Sequence, residues 1–403
     1  MKVNVDKIEF LVNPEISISD MQKLKPLPIF SSKVVEFIEE LSKEIFKEGL
    51  SKEYSDLISF GYFCRKSNLK YMKDKYKNSL ETNIGRGLSF HISPSNVPLN
   101  FAYSLIVGLL SGNSCIVRAP SKGFAQTKLL CTIIEKVLNR LNGDLKSYIA
   151  IINYEKNSGV TEYISKLCNC RVIWGGDRTI SDMRKIEIPP RSLDVVFADR
   201  HSLCVLNAKK IINDNSLNEL CLNFYNDAYM FDQNACTSPR LVVWIGEYEE
   251  IEEAKKVFWD LMYRVVSDKY TLDSSHVINK FTNLCVACCK ISGLRVANEL
   301  KGNYITRVKI NELCSGIFEY VSSGGFFYEC DCTSLEDINC IITEKAQTLS
   351  YYGVDSNEIL SWVKSSGLKG IDRVVPVGKA SEFSLKWDGY DLILHLSRIC
   401  DVQ

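Results

Sequence analysis

The sequence predicts an α/β protein: a mostly parallel sheet covered by helices on both faces, followed by a second α/β domain. Three observations predict it. From Gly87 onward, short apolar runs alternate with helical stretches, a pattern that implies right-handed crossovers between parallel strands. The cycle restarts after Cys236. A chain of 403 residues, 46% apolar and 24% charged, has room for about two to three packed cores.

The elements follow in order. Ser32 to Leu50 carries apolar residues at helical spacing (Val34, Val35, Phe37, Ile38, Leu41, Ile45, Phe46) and reads as an amphipathic helix. Residues 1 to about 80 read as a lead-in, not as a separate domain. "LSFHIS" is strand-like, Leu99 to Leu110 is an apolar helix stopped by Gly112-Asn113, "SCIVRAP" is a strand and Phe124 to Leu141 a helix. "YIAIINY" precedes a helix around Val160 to Leu167, and "RVIWGG" one around Thr179 to Lys185. "LDVVFA" and "LCVLN" lie close together before a helix from Ser216 to Tyr229. This succession is the dinucleotide-binding, Rossmann-type architecture. Beyond Cys236 come "LVVWIG", a helix from Tyr248 to Asp268 and further α/β elements to about Ser365. The tail is rich in Gly and turn residues and is expected to end in an aromatic-aliphatic strand. The expected domains therefore span 1–213 and 214–371, followed by the tail 372–403.

Composition excludes some classes. Forty-nine basic and forty-nine acidic residues cancel, so net charge suggests neither a nucleic-acid footprint nor a polybasic membrane patch, although local basic patches stay open. The N-terminus lacks the apolar core and cleavage site of a signal peptide, and no run approaches the roughly 18 apolar residues of a membrane span. A cytoplasmic protein without a membrane partner is expected. Sixteen cysteines in such a chain read as reduced thiols. The sets Cys168/Cys170, Cys285/Cys288/Cys289 and Cys330/Cys332 have no histidine at a standard zinc spacing, so no metal is expected.

Two residues stand out chemically. Cys236, in "DQNACTSPR", sits among small polar residues after a helix-like segment, where a carbonyl carbon can approach a thiolate; the competing reading is a small buried residue at a domain border. Asn96 lies in a turn held rigid by Pro94 and Pro98, so its carboxamide can aim N–H donors in a fixed direction, as an oxyanion hole requires. A turn or helix-cap role fits the same residues.

These stretches resemble the aldehyde dehydrogenase superfamily. Pro94-Ser95-Asn96-Val97-Pro98, Ser111-Gly112-Asn113 and Ala119-Pro120-Ser121-Lys122 stand in for its Pro-Trp-Asn-Phe-Pro, Ala-Gly-Asn and Lys-Pro-Ser-Glu signatures, and Trp174-Gly175-Gly176-Asp177 for its aromatic-Thr-Gly-Ser turn. Within it, "SPSNVP", "GLLSGN", "DQNACTSPR", "QTLSYYG" and "GIDRVVPVGKASEFSLKWDG" are similar to the LuxC-like long-chain acyl-CoA reductases, the fatty-acid reductases of bacterial luminescence. The resemblance implies an aldehyde-dehydrogenase-like fold and reduction of a fatty acyl-CoA or acyl thioester to the aldehyde. In that reaction Cys236 is the nucleophile, and Asn96 with the Cys236 backbone N–H holds the oxyanion. The resemblance implies that the first domain binds the cofactor, the second is catalytic and the tail 372–403 packs back on the first. It implies a dinucleotide held by Ser93, Pro94, Arg118, Ser121, Lys122, Trp174, Gly175, Gly176 and Asp177. Lys122 stands where NAD-preferring relatives carry an acidic residue, and with Arg118 it favours NADPH (NADP). It further implies an acyl-CoA or acyl-protein donor, an acyl-protein synthetase as partner and a homo-oligomer.

One departure carries information. Where hydrolytic members have a water-activating glutamate, this chain reads Phe197-Ala198-Asp199-Arg200-His201, so attack of water on an acyl-enzyme is expected to be slow. His201 reads as a structural histidine and Asp199-Arg200 as a turn ion pair. Gly370, Asp372, Arg373, Gly378, Trp387 and Gly389 fit an acyl channel and plain packing equally. The rival functions are a cysteine-dependent acyltransferase or thioesterase without reduction, and an acyl-carrying scaffold.

Overall fold

A computed structural model describes residues 7–47, 54–141, 143–297 and 302–402. The chain forms two compact units, residues 1–198 with 383–403, and 199–382.

The first unit opens with β1 (Glu9–Val12) and the helices α1 (Ile18–Met21), α2 (Ser32–Lys47), α3 (Ser55–Phe63) and α4 (Lys66–Lys75). Positions 48–50 of the predicted lead-in helix lie outside the described residues. Then follow β2 (Asn83–Gly85), β3 (Leu88–Ile92), α5 (Asn100–Leu110), β4 (Ser114–Arg118), α6 (Ala125–Leu141), β5 (Ile149–Asn153), α7 (Val160–Leu167), β6 (Cys170–Trp174), α8 (Asp177–Arg184) and β7 (Leu193–Phe197). Its main sheet has the order β1-β5-β4-β3-β6-β7, parallel except at β1. The chain builds outward from β3 to β4 and β5, then crosses to β6, which makes β3 the place where strand order reverses.

The lead-in is part of this core. Val34, Phe37, Ile38, Leu41 and Ile45 of α2 bury one stripe in the same cluster as Leu130, Ile134 and Val137 of α6. Glu44 ties the two helices through Lys136 and Arg140, each at 2.7 Å, and those hydrogen bonds hold its carboxyl down to about 2.

His91 lies in the middle of β3, fully buried, with Nδ1 2.7 Å from Ser104 Oγ and Nε2 2.8 Å from Ser89 Oγ. Burial pushes its pKa down to about 3. The unfolded chain takes up a proton near pH 6.5 that the folded unit refuses, so stability is full above that pH and is lost as pH falls toward 3. The expected slope approaches about 1.4 kcal/mol per pH unit. Thermal unfolding between neutral and mildly acidic pH checks it: the midpoint should fall, and His91→Gln should flatten the dependence while lowering the midpoint at neutral pH.

The second unit contains β8 (His201–Asn207), α9 (Ala208–Ile212), α10 (Leu217–Ala228), β9 (Pro239–Ile245), α11 (Tyr248–Lys269), α12 (Ser274–Lys290), β10 (Leu294–Val296), β11 (Thr306–Ile310), β12 (Phe326–Cys332), β13 (Ala346–Tyr352), α13 (Ser356–Ser365) and β14 (Arg373–Pro376). Its sheet runs β10-β11-β12-β9-β8-β13-β14, parallel except for the β10–β11 pair. Buried Glu329 anchors the core: it accepts both indole N–H groups, from Trp244 at 2.9 Å and Trp259 at 2.7 Å, and pairs with Arg307.

The borders expected at 213 and 372 thus move to 198/199 and 382/383. β8 pairs with β9 and β13 and belongs to the second sheet, not to that of its sequence neighbour β7. The residues between β7 and β8 are too few for the crossover that parallel neighbours in one sheet need.

The tail returns to the first unit as β15 (Lys386–Trp387), β16 (Tyr390–Asp391), α14 (Leu392–Leu396) and β17 (Ser397–Ile399), the last paired with β2. The long terminal strand expected there is mostly a helical turn, because Asp391 caps it by accepting from Leu394 N at 3.1 Å. Among the described residues no helix is long and apolar enough to cross a membrane, and no cluster of His, Cys, Asp or Glu could hold a metal ion.

Candidate active site

Cys236 lies half-buried in the loop between α10 and β9, over the amino ends of the second sheet. Ser202, at the start of β8, donates to the Cys236 carbonyl at 2.6 Å and accepts from Thr348 N at 3.2 Å. Gln233 is fully buried and uses its whole carboxamide. Its Nε2 donates to Pro239 O at 2.9 Å and Phe326 O at 2.8 Å, while its Oε1 accepts from Gly325 N and Phe326 N, both at 3.0 Å. One side chain therefore pins the loop to the first residues of β9 and β12.

That anchoring offsets local strain. Asp232 and Gln233 both have left-handed backbones, with φ of 52° and 61°, a conformation that costs non-glycine residues about 1 kcal/mol or more each. Asp232 is held by Tyr270 Oη at 2.8 Å and by Gly324 N at 3.0 Å, and Asn234 by Ser323 Oγ at 2.6 Å. Sequence reasoning missed Gln233. The signal was there: an amide next to a turn has both donors and acceptors, which a loop crossing open strand ends needs.

The other cysteines divide into two groups. Nine are buried, Cys64, Cys170, Cys330 and Cys332 among them, and burial pushes the thiols of Cys115, Cys131, Cys168, Cys204 and Cys221 up to about 12, which keeps those protonated and inert. Cys285, Cys288, Cys289, Cys314, Cys340 and Cys400 are exposed. What sets Cys236 apart is the braced loop.

In the first unit, a cleft of about 730 Å³ opens at the carboxyl ends of β3, β4, β5 and β6, where strand order reverses. Open α/β sheets bind ligands at such a point. Ser93, Pro94, Asn96, Arg118, Ser121, Trp174, Gly175 and Gly176 all line it. Lys122 and Asp177 do not line the cleft. The turn closed by Phe124 N to Lys122 O at 2.8 Å leaves Lys122 exposed outside its wall, and Asp177 is likewise exposed in the first turn of α8. Lys7, Glu9, Glu155 and Lys156 line it as well and were not singled out from sequence.

The cleft wall carries polar atoms without protein partners. Ser93 Oγ and Arg118 Nε are buried with no hydrogen bond among the described residues. The rest of the Arg118 side chain is fixed by Nη2 to Tyr154 O at 3.1 Å, with the guanidinium 4.5 Å from the Tyr154 ring centre. Trp174 is fixed by Nε1 to Ser104 Oγ at 3.1 Å and by stacking on Phe197 at 3.7 Å. Gly176 caps α8 without a side-chain bond, and a Cβ on Gly175 would sit 3.0 Å from Thr179. Asn96 is exposed in this cleft and belongs to the first unit; Cys236 belongs to the second.

Near the place of the absent glutamate, His201 stacks on Phe318 at 3.5 Å, and its Nε2 is buried without a partner among the described residues. Burial, then the charges of Arg200 and Lys345, push its pKa down to about 4, so the ring is neutral at neutral pH. Arg200 pairs with Asp372, where a turn pair with Asp199 was expected. The tail residues pack: a Cβ on Gly370 would lie 2.2 Å from Thr343 O, Gly378 N donates to Asp227 at 2.6 Å, and Trp387 is buried against Phe383.

A sequence model of the LuxC acyl-CoA reductases matches residues 10–267, which include Cys236 and the cleft residues from Ile92 to Thr179. The chain belongs to the LuxC acyl-CoA reductase family. Among relatives of this LuxC-family chain, the long-chain acyl-protein thioester reductase of Vibrio harveyi is 25% identical over 304 residues, 74% of this chain and 60% of the relative. The chain thus spans three fifths of that relative's length. Solved structures agree on the fold. Methylmalonate-semialdehyde dehydrogenase from Oceanimonas doudoroffii aligns with a TM-score of 0.66 at 10% identity, over 92% of this chain and 83% of that one. NADP-dependent glyceraldehyde-3-phosphate dehydrogenase from Bacillus halodurans, complexed with NADP, aligns with a TM-score of 0.61 at 11% identity, over 95% and 87%. The fold of this LuxC-family protein is that of the aldehyde dehydrogenases.

Proposed function

We propose that this LuxC-family protein reduces an acyl thioester, from acyl-CoA or an acyl-protein, to the aldehyde through an S-acyl intermediate on Cys236. The observation that carries the reading is the half-exposed Cys236 on a loop braced by Gln233 and Ser202. A nucleophile must keep its place while bonds form and break, and that bracing supplies it.

The Cys236 thiolate attacks the thioester carbonyl, and the carrier thiolate leaves once the tetrahedral adduct collapses. Asn96 is assigned as the amide donor to the oxyanion, together with the backbone N–H of Cys236. Hydride addition to the S-acyl carbonyl gives a thiohemiacetal, which releases aldehyde and regenerates the Cys236 thiolate. A nicotinamide cofactor, when bound, supplies that hydride. Ser93 Oγ and Arg118 Nε offer it unpaired polar atoms, and Gly175-Gly176 lets its pyrophosphate approach the start of α8. NADPH is favoured by Arg118, now with Lys7 and Lys156 in place of Lys122, against Glu9 and Glu155. With Phe197 stacked on Trp174 and His201 neutral against Phe318, neither side chain supplies the carboxylate base that would activate water.

The test follows both products. With an acyl-CoA and NADPH, wild type should release CoA and consume NADPH in equal amounts. Asn96→Ala should lower kcat about a hundredfold with little change in KM. Release of CoA without NADPH consumption would replace the reductase by an acyltransferase or thioesterase.

A further inference from the structure

α4 carries a feature that the reaction does not use. Residues 65–77 read Arg-Lys-Ser-Asn-Leu-Lys-Tyr-Met-Lys-Asp-Lys-Tyr-Lys, with Asp74 as their only acid, inside a chain whose charges balance overall. Lys66, Lys70 and Lys73 on α4, and Lys77 in the 3₁₀ turn that follows, are spaced i, i+4, i+7, i+11, and all are exposed. On α4 that spacing lines up Lys66, Lys70 and Lys73 along one stripe about 10 Å long, and Lys77 follows in the next turn. The neighbouring face, Leu69, Met72 and Tyr76, is buried in the core and fixes the stripe outward.

Stability does not account for the stripe. Like charges at i, i+3 and i, i+4 repel. A helix C-terminus favours Lys73 and Lys75, but Lys66 sits in the first turn, where a cation is disfavoured. Lys66 makes a loose pair with Glu39 at 3.8 Å, while Lys70, Lys73 and Lys77 have no ion-pair partner among the described residues. Two tyrosines flank the lysines: Tyr71, 58% exposed with Lys75 over its ring at 4.2 Å, and Tyr62, 51% exposed with Arg65 at 3.9 Å.

We propose that this stripe docks the protein peripherally on an anionic phospholipid surface. Several lysines on one face of an amphipathic helix suit a diffuse negative surface, and exposed tyrosines beside them suit the headgroup layer. A stereospecific protein partner fits less well, since lysine is depleted from protein interfaces and no apolar anchor lies between these lysines. A nucleic acid fits less well too, because the stripe is made of lysines alone, without arginines to grip phosphates bidentately or read base edges. The apolar side of α4 is already buried, so docking is electrostatic, without insertion, and reversible by salt. It revises the expectation of no membrane partner, drawn from the net charge and the lack of an apolar span, and it is independent of the chemistry assigned to Cys236.

The test is co-sedimentation with vesicles of phosphatidylcholine, alone or with roughly a third phosphatidylglycerol. Wild type should bind only the anionic vesicles and be released by about 0.5 M salt. Each lysine is expected to contribute about fivefold, so K70Q/K73Q/K77Q should bind about a hundredfold more weakly, while K166Q/K185Q on α7 and just beyond α8 binds as wild type. Thermal unfolding of each variant confirms that the fold is kept. Equal binding to both vesicle types, salt-insensitive binding by wild type, or an undiminished triple variant overturns the proposal, as does a stripe that captures an acidic protein or duplex DNA but no vesicle.

Discussion

Cys236→Ala is expected to lower thioester reduction by at least about a thousandfold, with no loss of thermal stability. The two halves of that expectation rest on different facts. The thiol is the only group in the proposed reaction that forms a covalent bond with the acyl chain, so nothing replaces it. The residue is half-buried, and the bonds that hold its loop come from Ser202, Gln233, Asp232 and Asn234, none of which uses the sulfur. Steady-state rates and a melting curve on the same preparation separate the halves. A variant that keeps a tenth of the wild-type rate would move the nucleophile elsewhere, and the exposed Cys285, Cys288, Cys289, Cys314, Cys340 and Cys400 would be examined next.

The second large effect is expected at Gln233. Gln233→Ala leaves the N–H groups of Gly325 and Phe326 and the carbonyls of Pro239 and Phe326 without their partner inside the second unit. An unsatisfied buried polar group costs about 1–3 kcal/mol, so the variant should lose at least about 3 kcal/mol of stability, read from denaturant unfolding. The loop also loses its tie to β9 and β12, and kcat should fall together with stability. Gln233→Glu sharpens the case. A carboxylate keeps the two acceptor bonds but faces two carbonyl oxygens without a proton, which raises its folded-state pKa above the unfolded value. Its deficit against wild type should therefore be largest above that raised pKa and shrink as pH falls through it toward the ordinary glutamate value of about 4.3, because the protonated acid donates again. Wild-type stability in either variant would show that the side-chain bonds do not hold the loop.

Much of this was legible in the residues. Apolar runs and helical spacing located nearly every strand and helix from Leu88 to Lys269, because those elements bury continuous apolar stripes. The turn signals around Ser93–Asn96 and Trp174–Gly176 marked the cleft wall, because a sharp strand-to-helix turn needs the same Pro and Gly punctuation that sequence displays. Other features depend on contacts between residues far apart in the chain. Gln233 matters because Gly325 and Phe326 arrive beside it, and Lys7 and Lys156 reach the cleft because β1 pairs with β5. Lys122 misled for the opposite reason: a residue next to a lining serine can still lie outside the wall. The border at 198/199 was deducible, since so short a link forbids β7 and β8 from being parallel neighbours. The stripe on α4 was hidden by a net charge of zero, which averages over surfaces.

The covalent step is open to direct weighing. Intact-mass spectrometry of wild type and Cys236→Ala, after exposure to long-chain acyl-CoAs and then to NADPH, follows the acyl group on the protein. The account predicts an added acyl mass on wild type alone, persistent in buffer and discharged when NADPH is supplied, with aldehyde released. An adduct of equal size on Cys236→Ala, or one on wild type that NADPH leaves untouched, would contradict it.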